Sequence, residues 1–432
     1  MSSRIPTSAT AVATDRIPAT VVDLELAGQI PDILGVDPHG RRVERAWVLV
    51  RQFTQPIGAL LIDVPPQGLA AADLAAAVDQ EIPPATRPEP GYLTSRAEIL
   101  TDAPHITVVV CTRERPDGLA RTLDSVLAQR YPRFRVLVVD NAPVSDGTVR
   151  VVADAAAQAT AAGHGTVDYV REPRPGLSHA RNRALRAAAG EIVAWIDDDE
   201  IADPHWLAEV ARAFAEHPEA DVVTGAIVPA ELATDAQLWF EQYGGHSKGR
   251  AFAPDVFSPA TAHRQSPLYP LPPFGAGGNM VFRPGVLERI GGFDTALGAG
   301  TPAMGSEDTL ALMQVLVAGG TVAYQPSALV WHHHRRDLAG LRNQLVGYGT
   351  GLTAAYTSLL LRDPRLIRPL LRLAPTALRD TFGDSDRLAG LRADFPRGLV
   401  GANRRGLLTG PVKYLRSRLA DRRLRRRTRS LP

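Results

Sequence analysis

The pattern of hydrophobic and polar residues changes at His105. From there to about residue 336, short apolar runs alternate with amphipathic segments of helical spacing. This alternation predicts strands separated by helices, and therefore an α/β fold with a mostly parallel, doubly wound sheet covered on both faces. The predicted strands are Ile106–Val110, Val136–Val139, Val167–Val170, Ile192–Ile196, Val222–Val228, Met280–Arg283, Val322–Tyr324 and Ala328–Trp331.

The two flanking regions follow other patterns. Residues 1 to about 15 are predicted to be disordered, and the segment after them to be a small α+β module. Its predicted strands are Thr20–Leu26, Ala46–Phe53 and Ala59–Val64, with a helix over Leu69–Ile82 and a Pro-rich linker over Pro83–Pro90. Beyond Asp337, leucines recur at helical spacing. We therefore predict an accessory module at 1–100, a catalytic domain at 101–336 and a helical region with a basic tail at 337–432.

Composition limits the class of protein. The chain has 432 residues and a formal net charge of +2, and its single cysteine, Cys111, excludes an intramolecular disulfide and favours a reducing compartment. The N-terminus is polar, and no apolar run reaches membrane-spanning length. We therefore expect a cytoplasmic protein, with or without peripheral attachment to the inner face of the membrane.

Basic residues crowd the end of the chain, from Arg404 through Arg429. A basic amphipathic helix over Val412–Arg429 would bind an anionic membrane surface. A disordered basic tail and a nucleic-acid-binding tail are the alternatives, of which we expect nucleic-acid binding least.

Three carboxylates follow the apolar strand Ile192–Ile196, namely Asp197, Asp198 and Asp199. Adjacent acids repel each other, and a divalent hard cation that also binds substrate phosphates relieves the repulsion. Alternation along a strand would put Asp197 and Asp199 on one side and Asp198 on the other. The alternative is a solvated acidic loop.

Polar residues also end the first two predicted strands of the sheet: Thr112 and Arg113 follow the first strand, and Asp140 ends the second. Ligands of open α/β sheets lie outside the carboxyl ends of the strands, so we expect these residues to converge with the Asp triplet. Neither a dinucleotide-binding glycine fingerprint nor a P-loop is present. A bound diphosphate would therefore need a metal and basic side chains.

A second acidic pair, Glu307 and Asp308, opens a predicted helix. Acids in the first turn commonly complement the helix dipole, but a carboxylate in a cleft can also accept a proton from an attacking hydroxyl. Three histidines trail the last strand, and alternation places His332 and His334 on the same side. In a domain that needs a cation, both are candidate metal ligands.

Three further residues are assigned to binding the molecule that would carry this hydroxyl, the acceptor. Gly278 and Asn279 lie in a glycine-rich segment that lets the backbone approach a ligand closely, although an ordinary turn is the alternative. Trp331, at the end of the last strand, completes this set.

The ordered motifs from His105 to Arg336 resemble those of the family 2 glycosyltransferases, which have a GT-A fold. The resemblance covers about half of the chain. The matching segments are Val108–Pro116, Val138–Asn141, Gly176–Asn182, Ile196–Asp199, Gly291–Asp294 and Glu307–Asp308. The chain departs from the family at Asn141-Ala142-Pro143, where many members have a second acid and a Gly-Ser turn.

The resemblance implies an inverting transfer of a sugar from a UDP-, GDP- or dTDP-sugar to a saccharide or lipid-linked acceptor. Asp308, beside Glu307, would be the general base, and Asp199 with His332 would hold Mn²⁺ or Mg²⁺. The expected donor-binding residues are Thr112, Arg113, Arg115, Asp140, Arg181, Asn182, Asp197 and Asp198.

Two other functions stay open at this point. One is a non-catalytic scaffold that binds nucleotide sugars, although the presence of Asp199, Asp308 and His332 together argues against it. The other is a sugar nucleotidyltransferase, which is less well supported because no Gly-rich triphosphate loop follows the first strand.

Overall fold

The structure is a computed structural model that describes residues 16–163, 165–246, 252–259, 268, 274–382, 391 and 395–429. The predicted disordered N-terminus, residues 1–15, lies outside these ranges.

The N-terminal region is a small α+β module followed by a short helical connection. Its elements are β1 (Arg16–Ile17), β2 (Thr20–Glu25), β3 (Arg42–Val43), β4 (Arg45–Gln52), β5 (Gln55–Asp63), α1 (Ala71–Glu81), a 3-10 helix (Pro84–Thr86) and α2 (Gly91–Thr101). Strand β4 pairs in parallel with β2 and antiparallel with β5, and Leu74 and Val78 of α1 belong to the module's core. Helix α2 was not predicted, because prolines precede its start and its apolar residues form only a weak stripe.

The central domain is built on a large sheet. Its strands are β6 (Ile106–Thr112), β7 (Phe134–Asn141), β8 (Val167–Glu172), β9 (Ile192–Asp197), β10 (Glu200–Ala202), β11 (Val222–Pro229), β12 (Asp255–Phe257), β13 (Met280–Phe282) and β14 (Val322–His332). The strand order is β10-β14-β11-β13-β9-β6-β7-β8, and β12 also pairs with β14. Within the described residues, β10, β12 and β13 run against the common direction of the other strands. The predicted α/β class with a mostly parallel sheet is therefore confirmed.

One strand prediction is wrong in detail. The sequence suggested two strands at the end of the domain, because Gln325 and Pro326 interrupt the apolar run. The structure has the single strand β14, and the interruption is absorbed by a register shift against β11 between Gly225 and Ile227.

Helices cover both faces of the sheet. They are α3 (Pro116–Leu127), α4 (Gly147–Ala162), α5 (Leu177–Ala187), α6 (Trp206–Glu216), α7 (Asp235–Gln242), α8 (Val286–Arg289) and α9 (Glu307–Val317). Apolar residues of α3, α4 and α6 form one core layer against the sheet, and those of α5, α8 and α9 form the other. Because both faces are apolar, the strands carry polar residues mainly where they end.

The N-terminal module is attached to this sheet by apolar and charged contacts. Leu49 packs with Val228 and Leu329 in one apolar cluster. Beside it, the Arg51 guanidinium donates to Asp203 Oδ2 at 2.7 Å, with both side chains buried. The Asp203-Pro204 pair predicts the N-cap and first residue of a helix, but α6 begins later, at Trp206.

The C-terminal region is helical, as predicted, with α10 (Leu338–Arg362), α11 (Ile367–Phe382) and α12 (Arg397–Arg429). Helices α10 and α12 pack closely because glycines line their contact. A Cβ on Gly349 would stand 2.2 Å from the carbonyl oxygen of Asn403, and one on Gly410 would stand 2.4 Å from that of Thr350. Across the described ranges, no helix combines the length and apolar character of a membrane span.

Candidate active site

The carboxyl ends of β6, β7 and β9 lie side by side. In the parallel pairing, Thr112 is level with Asp140, and Cys111 is level with Asp197. A cavity of about 760 Å³ opens at this edge and extends to α10 and α12. Its wall includes Arg113, Arg115, the Asp triplet, Glu307, Asp308 and His332.

The Asp triplet does not alternate as predicted, because β9 ends at Asp197 and the chain turns at Asp198 and Asp199. Arg115 Nη1 consequently reaches Asp198 Oδ1 at 2.9 Å and Asp199 Oδ2 at 3.0 Å. Asp198 also accepts a hydrogen bond from Thr112 Oγ1 at 2.7 Å. Asp197 points the other way, toward Arg181.

Arg181 joins the two acidic motifs. Its guanidinium donates to Glu307 Oε1 at 3.1 Å, to the Gly277 carbonyl at 3.1 Å and to Asp197 Oδ1 at 3.4 Å. Burial raises the pKa of Glu307 to about 7 and that of Asp197 to about 6, against the opposing effect of Arg181. The Arg181 side chain is almost fully buried, so it connects the two acidic motifs from beneath the cavity.

Asp308 lies beside this pair but remains half-buried and accessible from the cavity. The absence of a side chain at Gly277 makes room for it, since a Cβ there would stand 2.9 Å from Asp308 Oδ2. Glu307 is engaged by Arg181, whereas Asp308 can meet a substrate hydroxyl. Of the two acids, Asp308 is therefore the better placed base.

Asp199 and His332 face each other, with Asp199 Oδ1 3.6 Å from His332 Nε2. Burial would raise the pKa of Asp199, but the neighbouring His332, and after it Arg115 and Arg335, bring it below its ordinary value. Burial lowers the pKa of His332 to about 3. Both groups are therefore in their ligand forms at neutral pH. Asp199 and His332 could therefore hold a divalent cation, and its remaining ligands would come from substrate phosphates and water.

A hydrogen-bonded chain of side chains stands behind His332. Its Nδ1 lies 2.7 Å from His334 Nδ1, and His334 Nε2 lies 2.8 Å from Glu241 Oε1. A carboxylate can only accept, so His334 donates from Nε2, and a neutral His334 then accepts at Nδ1. His332 must then donate from Nδ1, which leaves the Nε2 lone pair directed toward Asp199.

The structure brings a third histidine to this place. One ring nitrogen each of His246, His332 and His334 lies within 4.8 Å of the others, so this trio could also hold a metal ion. His246 follows α7 in an irregular segment without periodicity, and the sequence offered no signal for it. Glu241 and Arg335 were likewise not predicted, although Arg335 directly follows the histidine run.

Several predicted site residues do not reach the cavity. Asp140 is fully buried and accepts a hydrogen bond from the Tyr169 hydroxyl at 2.9 Å, and its neighbour Asn141 lines the cavity instead. Asn182 is engaged with the backbone of Phe293, as donor to its carbonyl and as acceptor from its N–H.

Two of the residues assigned to the acceptor also lie elsewhere. The Asn279 amide donates to two backbone carbonyls and accepts from Trp206 Nε1 inside the core. Trp331 faces the N-terminal module, beneath the Arg51 guanidinium. Gly278 does line the cavity, where a Cβ would collide with Glu200.

Comparison of the sequence with known proteins finds one matching protein family. A family model described as "Glycosyl transferase family 2" matches residues 107–291. The chain is 29% identical over 205 residues to a glucosyl-dolichyl phosphate glucuronosyltransferase of Haloferax volcanii, covering 45% of this chain and 57% of the relative. It is 30% identical over 240 residues to the succinoglycan biosynthesis protein ExoM of Rhizobium meliloti, covering 53% and 66%.

Among solved structures, the mannosyltransferase PcManGT of Pyrobaculum calidifontis, in complex with GDP-Man and Mn²⁺, is 20% identical with a TM-score of 0.47. The match covers 74% of this chain and 95% of that one. The chain spans about half to two thirds of the length of the curated relatives it matches.

Proposed function

The domain that contains residues 107–291 belongs to glycosyl transferase family 2, and from this premise we propose that the protein is a metal-dependent, inverting glycosyltransferase. It moves a sugar from a nucleoside-diphosphate donor to a hydroxyl of a saccharide or lipid-linked acceptor. The observation that carries the proposal is one cavity lined by the Asp triplet, by Asp308 and by the cationic side chains of Arg113, Arg115 and Arg335.

The donor diphosphate lies against the cationic side of the cavity. Arg115 is already oriented by Asp198 and Asp199, and Asp199 with His332 would hold Mn²⁺ or Mg²⁺. When bound, the ion stabilises the charge that develops on the leaving diphosphate. Asp197 contacts the ribose or the sugar. His334 supports this site without being a ligand, because its hydrogen bond to His332 Nδ1 leaves Nε2 of His332 as the nitrogen that would face the ion.

The transfer itself needs a base on the side of the sugar away from the diphosphate. Asp308 accepts the proton of the acceptor hydroxyl. At the same time the hydroxyl oxygen bonds to the anomeric carbon of the donor sugar, and the bond between that carbon and the diphosphate breaks. Glu307 holds Arg181, and Arg181 in turn orients Asp197. The two acidic motifs therefore form one unit with separate roles for each carboxylate.

The acceptor and the location are proposed more broadly. One relative is named as a glucosyl-dolichyl phosphate glucuronosyltransferase, which supports a lipid-linked acceptor. We place the protein in the cytoplasm, with its basic C-terminal residues supporting a peripheral position at the inner face of the membrane.

Calorimetric binding of UDP-, GDP- and dTDP-sugars, with and without Mn²⁺, tests the donor site. We expect one nucleotide class to bind only when Mn²⁺ is present. Asp199→Ala should lose this metal-dependent binding. Asp102→Ala, at an exposed residue far from the cavity, is the matched control and should bind like the wild type. A folded wild-type protein that binds none of the donors would contradict the proposal.

A non-catalytic scaffold is the second candidate, since it needs the same donor site. It predicts metal-dependent donor binding without turnover. Release of nucleoside diphosphate from the bound donor, in the presence of candidate acceptors, would decide for the enzyme.

A further inference from the structure

Helix α12 exposes a stripe of large apolar side chains. Leu408, Val412, Leu415 and Leu419 are 74%, 54%, 50% and 54% exposed. Their spacing of four, three and four residues puts them in one line along the helix. Of the seventeen large apolar side chains that are exposed in the described part of the chain, seven lie on α11 and α12. Such a concentration marks an interaction surface.

Basic residues border the stripe on both sides. At about 100° per residue, one border carries Arg405, Arg416 and Arg423, and the other carries Arg418 and Arg422. Arg405, Arg416, Arg422 and Arg423 are exposed. An apolar line between two basic borders is complementary to a bilayer with anionic headgroups, because the apolar side chains enter the acyl boundary while the guanidinium groups stay at the phosphates.

The helix is held firmly in this orientation by its opposite face. The Tyr414 hydroxyl donates to Asp294 Oδ2 at 2.9 Å, and Asp421 Oδ1 lies 2.9 Å from His179 Nε2 on α5. Earlier in α12, Val400, Asn403 and Leu407 line the cavity. The same rigid helix therefore forms part of the cavity wall and presents the stripe.

We propose that α12 lies in the interface of an anionic bilayer, with Leu408, Val412, Leu415 and Leu419 inserted and the bordering arginines on the headgroups. This gives a specific surface to the peripheral position proposed above and does not depend on sugar transfer. Docking in this way brings the cavity wall formed by α12 beside the lipid.

Sedimentation with phosphatidylcholine vesicles, with and without phosphatidylglycerol, tests the surface. Leu408→Ser/Leu415→Ser should lower the partition coefficient about tenfold or more. Arg416→Gln/Arg423→Gln should lower it about 25-fold on anionic vesicles only, at roughly fivefold per arginine. Leu34→Ser, which changes a 69% exposed leucine of the N-terminal module, is the matched control and should bind like the wild type.

Insertion is measured separately with a tryptophan probe. Brominated lipids should quench the fluorescence of the tryptophan introduced by Leu415→Trp. They should not quench that of Val144→Trp, which lies at an 86% exposed site far from α12. Circular dichroism checks that each variant is folded. Equal vesicle binding by Leu408→Ser/Leu415→Ser and wild type would overturn the proposal. Equal quenching of the two tryptophan probes would also overturn it. So would light scattering that shows a wild-type dimer and a monomeric Leu408→Ser/Leu415→Ser variant with unchanged vesicle binding.

Discussion

Arg181 shows how single residues divide the work of the site. Its buried guanidinium lies between Glu307 and Asp197. Removing one partner from a buried ion pair leaves an uncompensated charge, which is far more costly than losing an exposed pair. Glu307 therefore serves as the buried partner of Arg181, and in the proposed reaction the proton of the acceptor hydroxyl goes to Asp308, which is half-buried and lines the cavity.

Asp308→Asn should abolish most of the transfer because the amide cannot accept the proton of the acceptor hydroxyl. A general base contributes about 10²–10⁴-fold, so kcat should fall by about that factor while donor affinity stays nearly unchanged. Single-turnover assays and calorimetry measure the two quantities, with Asp102→Asn as the control. Turnover comparable to wild type would remove Asp308 as the base.

Glu241→Ala should weaken the proposed metal site of Asp199 and His332 without removing either ligand. The substitution removes the acceptor that fixes the tautomer of His334 and, through it, of His332. Loss of such support commonly costs about 10–100-fold in metal affinity. Mn²⁺ binding measured by electron paramagnetic resonance, in the presence of nucleoside diphosphate, gives a readout independent of activity. Glu231→Ala, which removes a nearby acid paired with Arg336, is the control, and equal affinities of the two variants would contradict the role of Glu241.

At the scale of elements, the pairing of α10 with α12 depends on glycine at particular positions. Gly349→Ala should destabilise the protein by about 1–3 kcal/mol, because the new methyl group meets the Asn403 carbonyl at 2.2 Å. Gly401 is the matched control: it lies in α12 with open space around it, so Gly401→Ala should stabilise by up to about 1 kcal/mol. Denaturant unfolding measures both, and effects of the same sign would contradict this account of the packing.

The elements also explain which parts of the site the sequence could predict. Buried parallel strands have continuous apolar runs, so their ends were recognisable, and with them Asp197–Asp199 and His332. The direction of each side chain was less accessible. Asp140 and Asn141 are adjacent, and only the pleat of β7 decides that Asn141 lines the cavity.

The remaining misses come from contacts between distant segments. Glu241 and His246 lie on and after a short helix whose position is set by packing against β14 and α10. Asn279, just before β13, and Trp331, on β14, could each face a ligand by local pattern, but Asn279 is buried in the core and Trp331 lies against the N-terminal module. No local pattern could distinguish these outcomes.

At the scale of the whole molecule, two buried carboxylates, Glu307 and Asp197, should each contribute stability to the metal-free protein that declines as the pH rises. Glu307 has a pKa of about 7 in the folded chain, against an ordinary value of 4.5, and burial is the main cause. Its neutral form therefore contributes stability that is fully present below about pH 4.5 and is lost as the pH rises through about 7. Asp197 acts in the same direction, with a folded pKa of about 6.

Comparison of wild type with Glu307→Gln isolates this effect, since glutamine does not titrate. The free energy of unfolding of wild type, relative to Glu307→Gln, should fall by up to about 3 kcal/mol between pH 4.5 and 7. Denaturant unfolding in the presence of a chelator measures the difference at each pH. Glu98→Gln, at an exposed glutamate of α2, should show no such trend. A wild-type advantage that stays constant across this range would mean that Glu307 is ionised at little cost beside Arg181, and the link between the two acidic motifs would then be a simple ion pair.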